Sequence, residues 1–187
     1  MGVWIIPGLV LLALVLMIGI FNSLVRLRNR VKNNWSQIAV QLKRRHNLIP
    51  NLVKTVSGYA QHERSVLENV TRMRNMAKDA TEIPEKILAE GRLSGALGRL
   101  LAVVENYPDL KADGRFQALQ EELASTENRI SFARQAYNDQ VLALNNRIEM
   151  FPSNLVAAAF HFSPAEYFGV NEPGDDAVPE VQLGPDE

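Results

Sequence analysis

The dipeptide His62-Glu63 puts an imidazole beside a carboxylate, the pair that opens the metal motif of zinc-dependent proteases. On a helix that motif needs a second histidine four residues after the first, so that both imidazoles face one ion. Position 66 is Val66. The other histidines, His46 and His161, stand 16 and 99 residues from His62, with no carboxylate spacing that completes a ligand set. His62 is therefore read as a polar helix residue, hydrogen-bonded to a neighbouring helix. Ser36, Ser57, Ser65 and Ser131 lack the Gly-x-Ser-x-Gly setting that presents a nucleophile on a strained turn. The chain has no cysteine, which removes thiolate nucleophiles, thiolate metal sites and disulfides. No glycine-rich loop follows a strand pattern, as a phosphate cradle would require. The sequence thus offers no catalytic residue, no metal ligands and no cofactor-binding residue, and it reads as a non-enzyme.

What remains is charge. Lys43-Arg44-Arg45 is a short basic run on a helix. It can contact a lipid headgroup, a phosphate or an acidic partner helix, or it can form a solvated face. It lacks interleaved aromatics, and the net charge of −1 gives no overall field for nucleic acid. Arg45 and Glu63 occupy positions where a helical seam calls for apolar side chains. Each is a candidate to meet a charged partner on the third predicted helix, such as Glu127 or Arg134. Gln37, Gln41, Asn47, Asn51, Asn128, Arg129, Gln135, Asn138 and Asp139 are candidates for interhelical hydrogen bonds that fix register.

The elements that position these residues begin with Met1 to Val25, which carry no charged side chain. A run of this length crosses the roughly 30 Å hydrocarbon core as a helix at about 1.5 Å per residue. Arg26, Arg28, Arg30 and Lys32 follow it, a membrane-proximal basic cluster. A cleaved signal peptide has its basic residues first and a small-x-small cleavage site. Here the basic residues come last and Asn22-Ser23-Leu24 is a poor site, so the segment reads as a retained anchor. The basic side prefers the cytoplasm, which places the N-terminus outside and the domain inside. Gly19 and Ser23 form a weak small-xxx-small pair for anchor association.

From Val31 to Ala77 apolar residues recur in steps of three and four, in phase across Pro50. This predicts one long helix kinked at Pro50, with a break into two near Asn47 as the alternative. Thr81 is a candidate cap and Pro84 fits a first turn. A second helix is predicted from Glu85 to Asn106. Its Gly91, Gly95 and Gly98 either allow close packing or mark a flexible element. Pro108 and Asp113-Gly114 bracket the next turn. The third helix is the clearest: Phe116 to Phe151 carries eleven seam residues over 35 positions, a mean step of 3.5, the heptad value. Pro152 ends it, and Ser153 can cap a short apolar turn from Asn154 to Phe160. After Ser163 the chain turns Pro-, Gly- and acid-rich. Val178 to Leu183 has a short strand pattern that needs an edge to pair with. Between Arg26 and His62 there are eight Lys and Arg and no acidic residue; from Ile148 to the end there are eight acidic residues and no Lys or Arg. The acidic end either docks on the basic stretch or stays a solvated tail.

Several blocks resemble the LemA family of bacterial membrane proteins. They are Asn34 to Val53, Gly58 to Glu63, Leu100 to Ala112, Thr126 to Ile130, Ala133 to Asp139 and Phe151 to Leu155, in order and at suitable distances. The resemblance spans about Leu24 to Phe168. It implies a soluble antiparallel helical bundle behind one N-terminal membrane segment. It carries over no catalytic residue. It implies links to membrane organisation, including a branch involved in magnetosome membrane formation, and association with membrane proteases in some relatives. Others are lipoproteins, from which this chain departs by lacking the lipid-bearing cysteine.

The expectation is an all-α protein: an N-terminal transmembrane helix (residues 1–25), an elongated antiparallel bundle of three or four long helices (26–162) and an acidic tail (163–187). Its expected work is that of a membrane-anchored scaffold in the bacterial inner membrane, with the bilayer, further copies of itself and membrane proteins as partners. The alternative is an adaptor or regulator of a membrane-bound enzyme such as a protease. Lys43, Arg44 and Arg45 are the expected partner or lipid contacts.

Overall fold

A single helix, α1, runs from Ile5 to Ser57 in a computed structural model that describes residues 5–169. Its 53 residues span about 80 Å at 1.5 Å per residue. Nothing breaks it between Phe21 and Asn34, so the apolar segment passes directly into the bundle. One 18-residue window of α1 has a mean hydropathy of 2.6 and lies outside the protein's own packing, long and apolar enough to cross a membrane.

The chain reverses after Ser57. Gly58 and Tyr59 form the turn, a 3-10 turn covers Gln61–Glu63, and α2 (Arg64–Asp79) descends along α1. The expected single helix from Val31 to Ala77 is therefore two. It passes through the exposed Pro50 and reverses at Gly58 instead. The seam kept its phase because each arm of a helical hairpin also buries one face. α3 (Ile83–Val104) ascends with Pro84 in its first turn. Its cap position is Glu82, in extended backbone with no side-chain bond, and Thr81 does not serve as the cap. α4 (Pro108–Lys111) is one turn, and α5 (Gly114–Glu149) descends the full length of the bundle. Asp113 caps α5, its Oδ1 accepting from the backbone N–H of Arg115 at 2.7 Å and of Phe116 at 3.1 Å. α6 (Ser153–Ala159) closes the base against α1 and α5.

The result is an antiparallel bundle of four helices, α1, α2, α3 and α5, in which α2 and α3 reach only the upper half. Two apolar cores follow. The upper one joins Ile49, Leu52 and Val56 to Leu67, Val70, Leu93, Leu100, Leu110 and Phe116. The lower one joins Leu24, Val31, Ile38 and Leu42 of α1 to Ile130, Tyr137, Val141, Leu144 and Ile148 of α5, with Val156, Ala157 and Phe168. The heptad seam holds along α5, except that Phe151 lies beyond the helix and is exposed. A Cβ placed on Gly95 or Gly98 would meet nothing within 4 Å, so these two do not serve close helix packing.

Two tyrosines tie the upper turns together. Tyr59 donates to Asp113 Oδ2 at 2.8 Å and Tyr107 to Glu63 Oε1 at 3.2 Å. At the base, residues 163–169 form a strap on α5. The side-chain amide of Asn145 exchanges two hydrogen bonds with the backbone of Ala165 (3.0 and 2.8 Å). Asn138, one heptad away, does the same with Phe168 (3.0 and 2.8 Å). Seven helical residues rise about 10 Å, the length of three extended residues, so both clamps fit one straight strap. The acidic residues after 169 and the strand pattern at Val178 to Leu183 lie outside the described residues.

Candidate functional site

Between the two cores lies a layer of buried charge. Successive residues Arg45 and His46 of α1 both turn inward there, and Arg45 is 1% exposed. Arg45 Nη2 pairs with Oε2 of Glu90 on α3, itself wholly buried. Arg45 Nη1 donates to Glu127 Oε2 of α5 at 2.5 Å and to Ser94 Oγ of α3 at 3.0 Å. The other Glu90 oxygen, Oε1, lies 2.8 Å from Nε2 of His46. A carboxylate only accepts, so Nε2 of His46 is the donor in this contact. Burial by itself would push the Glu90 carboxyl up. The hydrogen bond from His46 and the charge of Arg45 outweigh it and hold the carboxyl below its ordinary value of 4.5. Glu90 is thus an anion inside the bundle, and one guanidinium ties α1, α3 and α5 at a single height.

A largely apolar cavity of about 370 Å³ opens beside this layer, bounded by Arg45, Leu52, Ser94, Leu101, Leu123 and Glu127. Arg45 Nε is buried there without a hydrogen-bond partner. A shallower groove of about 1070 Å³ runs between α1, α2 and α3, past Val53, Leu67, Thr71, Met76 and Ala89.

The residues singled out from sequence fall in three places. Arg26, Arg28, Arg30 and Lys32 are all exposed on α1 just above the apolar segment, and Arg28 lies over the Phe162 ring at 5.1 Å. Lys43 and Arg44 face outward, Arg44 paired with Glu122. Arg45 does not share their face; it is spent on internal pairs and is out of reach of a lipid or an outside protein. It meets Glu127, the acidic partner anticipated on α5. Glu63 meets Tyr107 rather than an arginine. His62 and His161 are exposed and apart from His46. Among the described residues no three His, Asp or Glu side chains are grouped to hold a metal ion. Sequence reading missed Glu90 and Ser94, although Glu90 stands in register with Leu93, Leu97, Leu100 and Val104 on the α3 seam.

The arrangement is one of packing and pairing. The model of the LemA family matches residues 34–183, which take in the charged layer, the upper core, the upper ties and the lower core apart from its first α1 residues, Leu24 and Val31. The chain belongs to the LemA family. Magnetosome protein MamQ 2 of Paramagnetospirillum magneticum is 28% identical over 189 residues, covering 87% of this chain and 70% of that protein. Magnetosome protein MamQ of Magnetospirillum gryphiswaldense is 26% identical with the same coverage. Protein LemA of Metamycoplasma hominis is 28% identical over 174 residues, covering 87% of this chain and 78% of that one. The apolar segment and the basic residues from Arg26 to Lys32 precede the part that the LemA model matches.

Proposed function

We propose that this LemA-family chain is a non-enzymatic scaffold, anchored in a bacterial membrane by the first half of α1, which self-associates or organises partner proteins there. One observation carries the reading: the apolar segment and the first arm of the bundle are the same uninterrupted helix. A bundle mounted in this way moves with its anchor as one rigid piece, as a scaffold needs and a loosely tethered domain does not. The layer at Arg45 supports it, since charges committed to one another fix the register of three helices. Arg26, Arg28, Arg30 and Lys32 favour the cytoplasmic face of the inner membrane for the bundle, each adding about 1 kcal/mol against anionic headgroups. Mass measurement in mild detergent, over a range of concentrations, tests the proposal. Oligomers or a co-purifying protein are the expected result; a lone monomer throughout would remove it.

The groove between α1, α2 and α3 favours a second reading, an adaptor that holds a membrane enzyme such as a protease. Met76 lies exposed on its wall. In that case Met76→Arg abolishes partner capture while self-association is untouched. Capture unaffected by the substitution would remove the groove from the model.

A further inference from the structure

The base of the bundle carries an apolar surface that neither core uses. Met150, Phe151, Leu155 and Phe160 are 58%, 78%, 62% and 48% exposed. Met150 and Phe151 follow the end of α5, Leu155 lies on α6 away from its buried side, and Phe160 follows the end of α6, so all four belong to the α5–α6 corner of the chain. The opposite side of α6, through Ser153, Val156 and Ala157, is buried against the lower core. From Met150 to Pro164 there is no Asp, Glu, Lys or Arg. A short helix that is apolar on both sides belongs inside something, yet the described residues cover only one of its sides.

Its height says what covers the other. The Phe160 ring packs on Phe21 of α1 with centroids 4.8 Å apart, and Phe162 packs on Phe21 at 5.8 Å. Phe21 belongs to the uncharged run and lies five residues before Arg26, about 7–8 Å further along the helix axis. Helices that lie in a membrane interface sink their apolar face about 5–10 Å into the boundary between headgroups and acyl chains. Phe162 stands a little higher, under the guanidinium of Arg28. That is the level at which an arginine reaches for lipid phosphate. Ile20, Phe21 and Leu24 therefore pack against the bundle at a depth where α1 is still uncharged.

We propose that the α5–α6 corner is a second membrane contact, with Met150, Phe151, Leu155 and Phe160 seated in the interfacial layer of the bilayer that α1 crosses. This rests on the reading of α1 as an anchor. The occupant is lipid and not a second copy of the chain, because the surface is continuous with the apolar segment at its own depth.

The absence of native cysteine makes the test clean. Leu155→Cys, Leu14→Cys and Val40→Cys are made one at a time in the full chain. Each is labelled with an environment-sensitive fluorophore and placed in nanodiscs containing anionic lipid. Quenching is read with aqueous iodide and with lipids spin-labelled near the headgroup. All three positions are exposed on the protein, so the label disturbs no core. The expected result is a Leu155 label quenched by the spin-labelled lipid and several-fold less sensitive to iodide than the Val40 label. If the Leu155 label is as open to iodide as Val40 while Leu14 stays shielded, the anchor stands and the second contact is refuted. If it is shielded from iodide but insensitive to the spin label, protein covers the corner and the proposal is overturned. A Leu14 label open to iodide would overturn the anchor and this inference together.

Discussion

Nε of Arg74 donates a hydrogen bond to the backbone carbonyl of His46 at 2.9 Å, and this carbonyl lies four residues before Pro50. Proline has no N–H, so it is the one position in this stretch of α1 that helix geometry leaves without a donor. The second helix supplies what the first lacks, which lets α1 pass through a proline and stay in register. Arg74→Met leaves the carbonyl unpaired in a half-buried setting and is expected to cost about 1–3 kcal/mol. Pro50→Ala restores a backbone donor, so the cost of Arg74→Met shrinks when both are present. Denaturant unfolding of the four proteins measures the coupling; strictly additive costs would refute it.

The charged layer makes a sharper forecast. Glu90→Leu leaves Arg45 buried without its innermost partner and is expected to cost about 3–5 kcal/mol. Adding Arg45→Met removes both charges and replaces them with apolar volume, which recovers most of the loss. Equal losses in the single and double variants would show that packing, not pairing, sets the cost at this site.

Acid should act on the same group. Glu90 is held below its ordinary value of 4.5 in the fold. Its contribution is therefore complete above that value and is lost as pH falls through the lower, folded value. Stability followed from neutral to acid pH should drop more steeply for the natural protein than for Glu90→Gln, which starts lower and stays flatter. Asp113 is depressed too, through hydrogen bonds from Tyr59 and from the backbone of Phe116 and Arg115. Asp113→Asn separates its share of the acid limb. Parallel curves for Glu90→Gln and the natural protein would contradict the assignment.

The strap at 163–169 should come off without unfolding the bundle. Asn145→Ala and Asn138→Ala each delete a two-bond clamp, and Tyr137→Phe deletes a third attachment, the 2.9 Å bond to the Glu166 carbonyl. Each lost bond is worth about 0.5–1.5 kcal/mol. Hydrogen exchange at Ala165 and Phe168 should accelerate in these variants while the amides of α3 keep their protection. Acceleration across the whole chain would mean that the strap is part of the global folding unit.

The sequence reads well wherever a helix face repeats. The 3.5-residue seam located α5 to within a few residues, and an arginine on the α1 seam was enough to anticipate an acidic partner on α5. Glu90 was missed although it sits on a seam of its own. The glycines of α3 blurred the pattern, and the identity of a buried partner depends on which helices face each other. The reversal at Gly58 was hidden for a related reason, because hydrophobic phase records burial and not direction. The strap left no trace at all. Its bonds run from asparagine side chains to backbone, and backbone groups of an irregular segment have no periodicity to detect. The exposed corner at Phe151 was mistaken for seam because spacing alone cannot say on which side of a helix end the core stops.

With α1 anchored as proposed above, its stretch from Arg26 to Ser57 continues for about 45–50 Å as the arm of a lever whose fulcrum is the bilayer. Membrane helices tilt by about 20° on average and tilt further when the hydrocarbon layer thins. Through a straight arm of this length, 20° moves the tip near Tyr59 sideways by roughly 16 Å. On that reading, any tilt of the anchor is carried undiminished to the top of the bundle, because no joint lies between them.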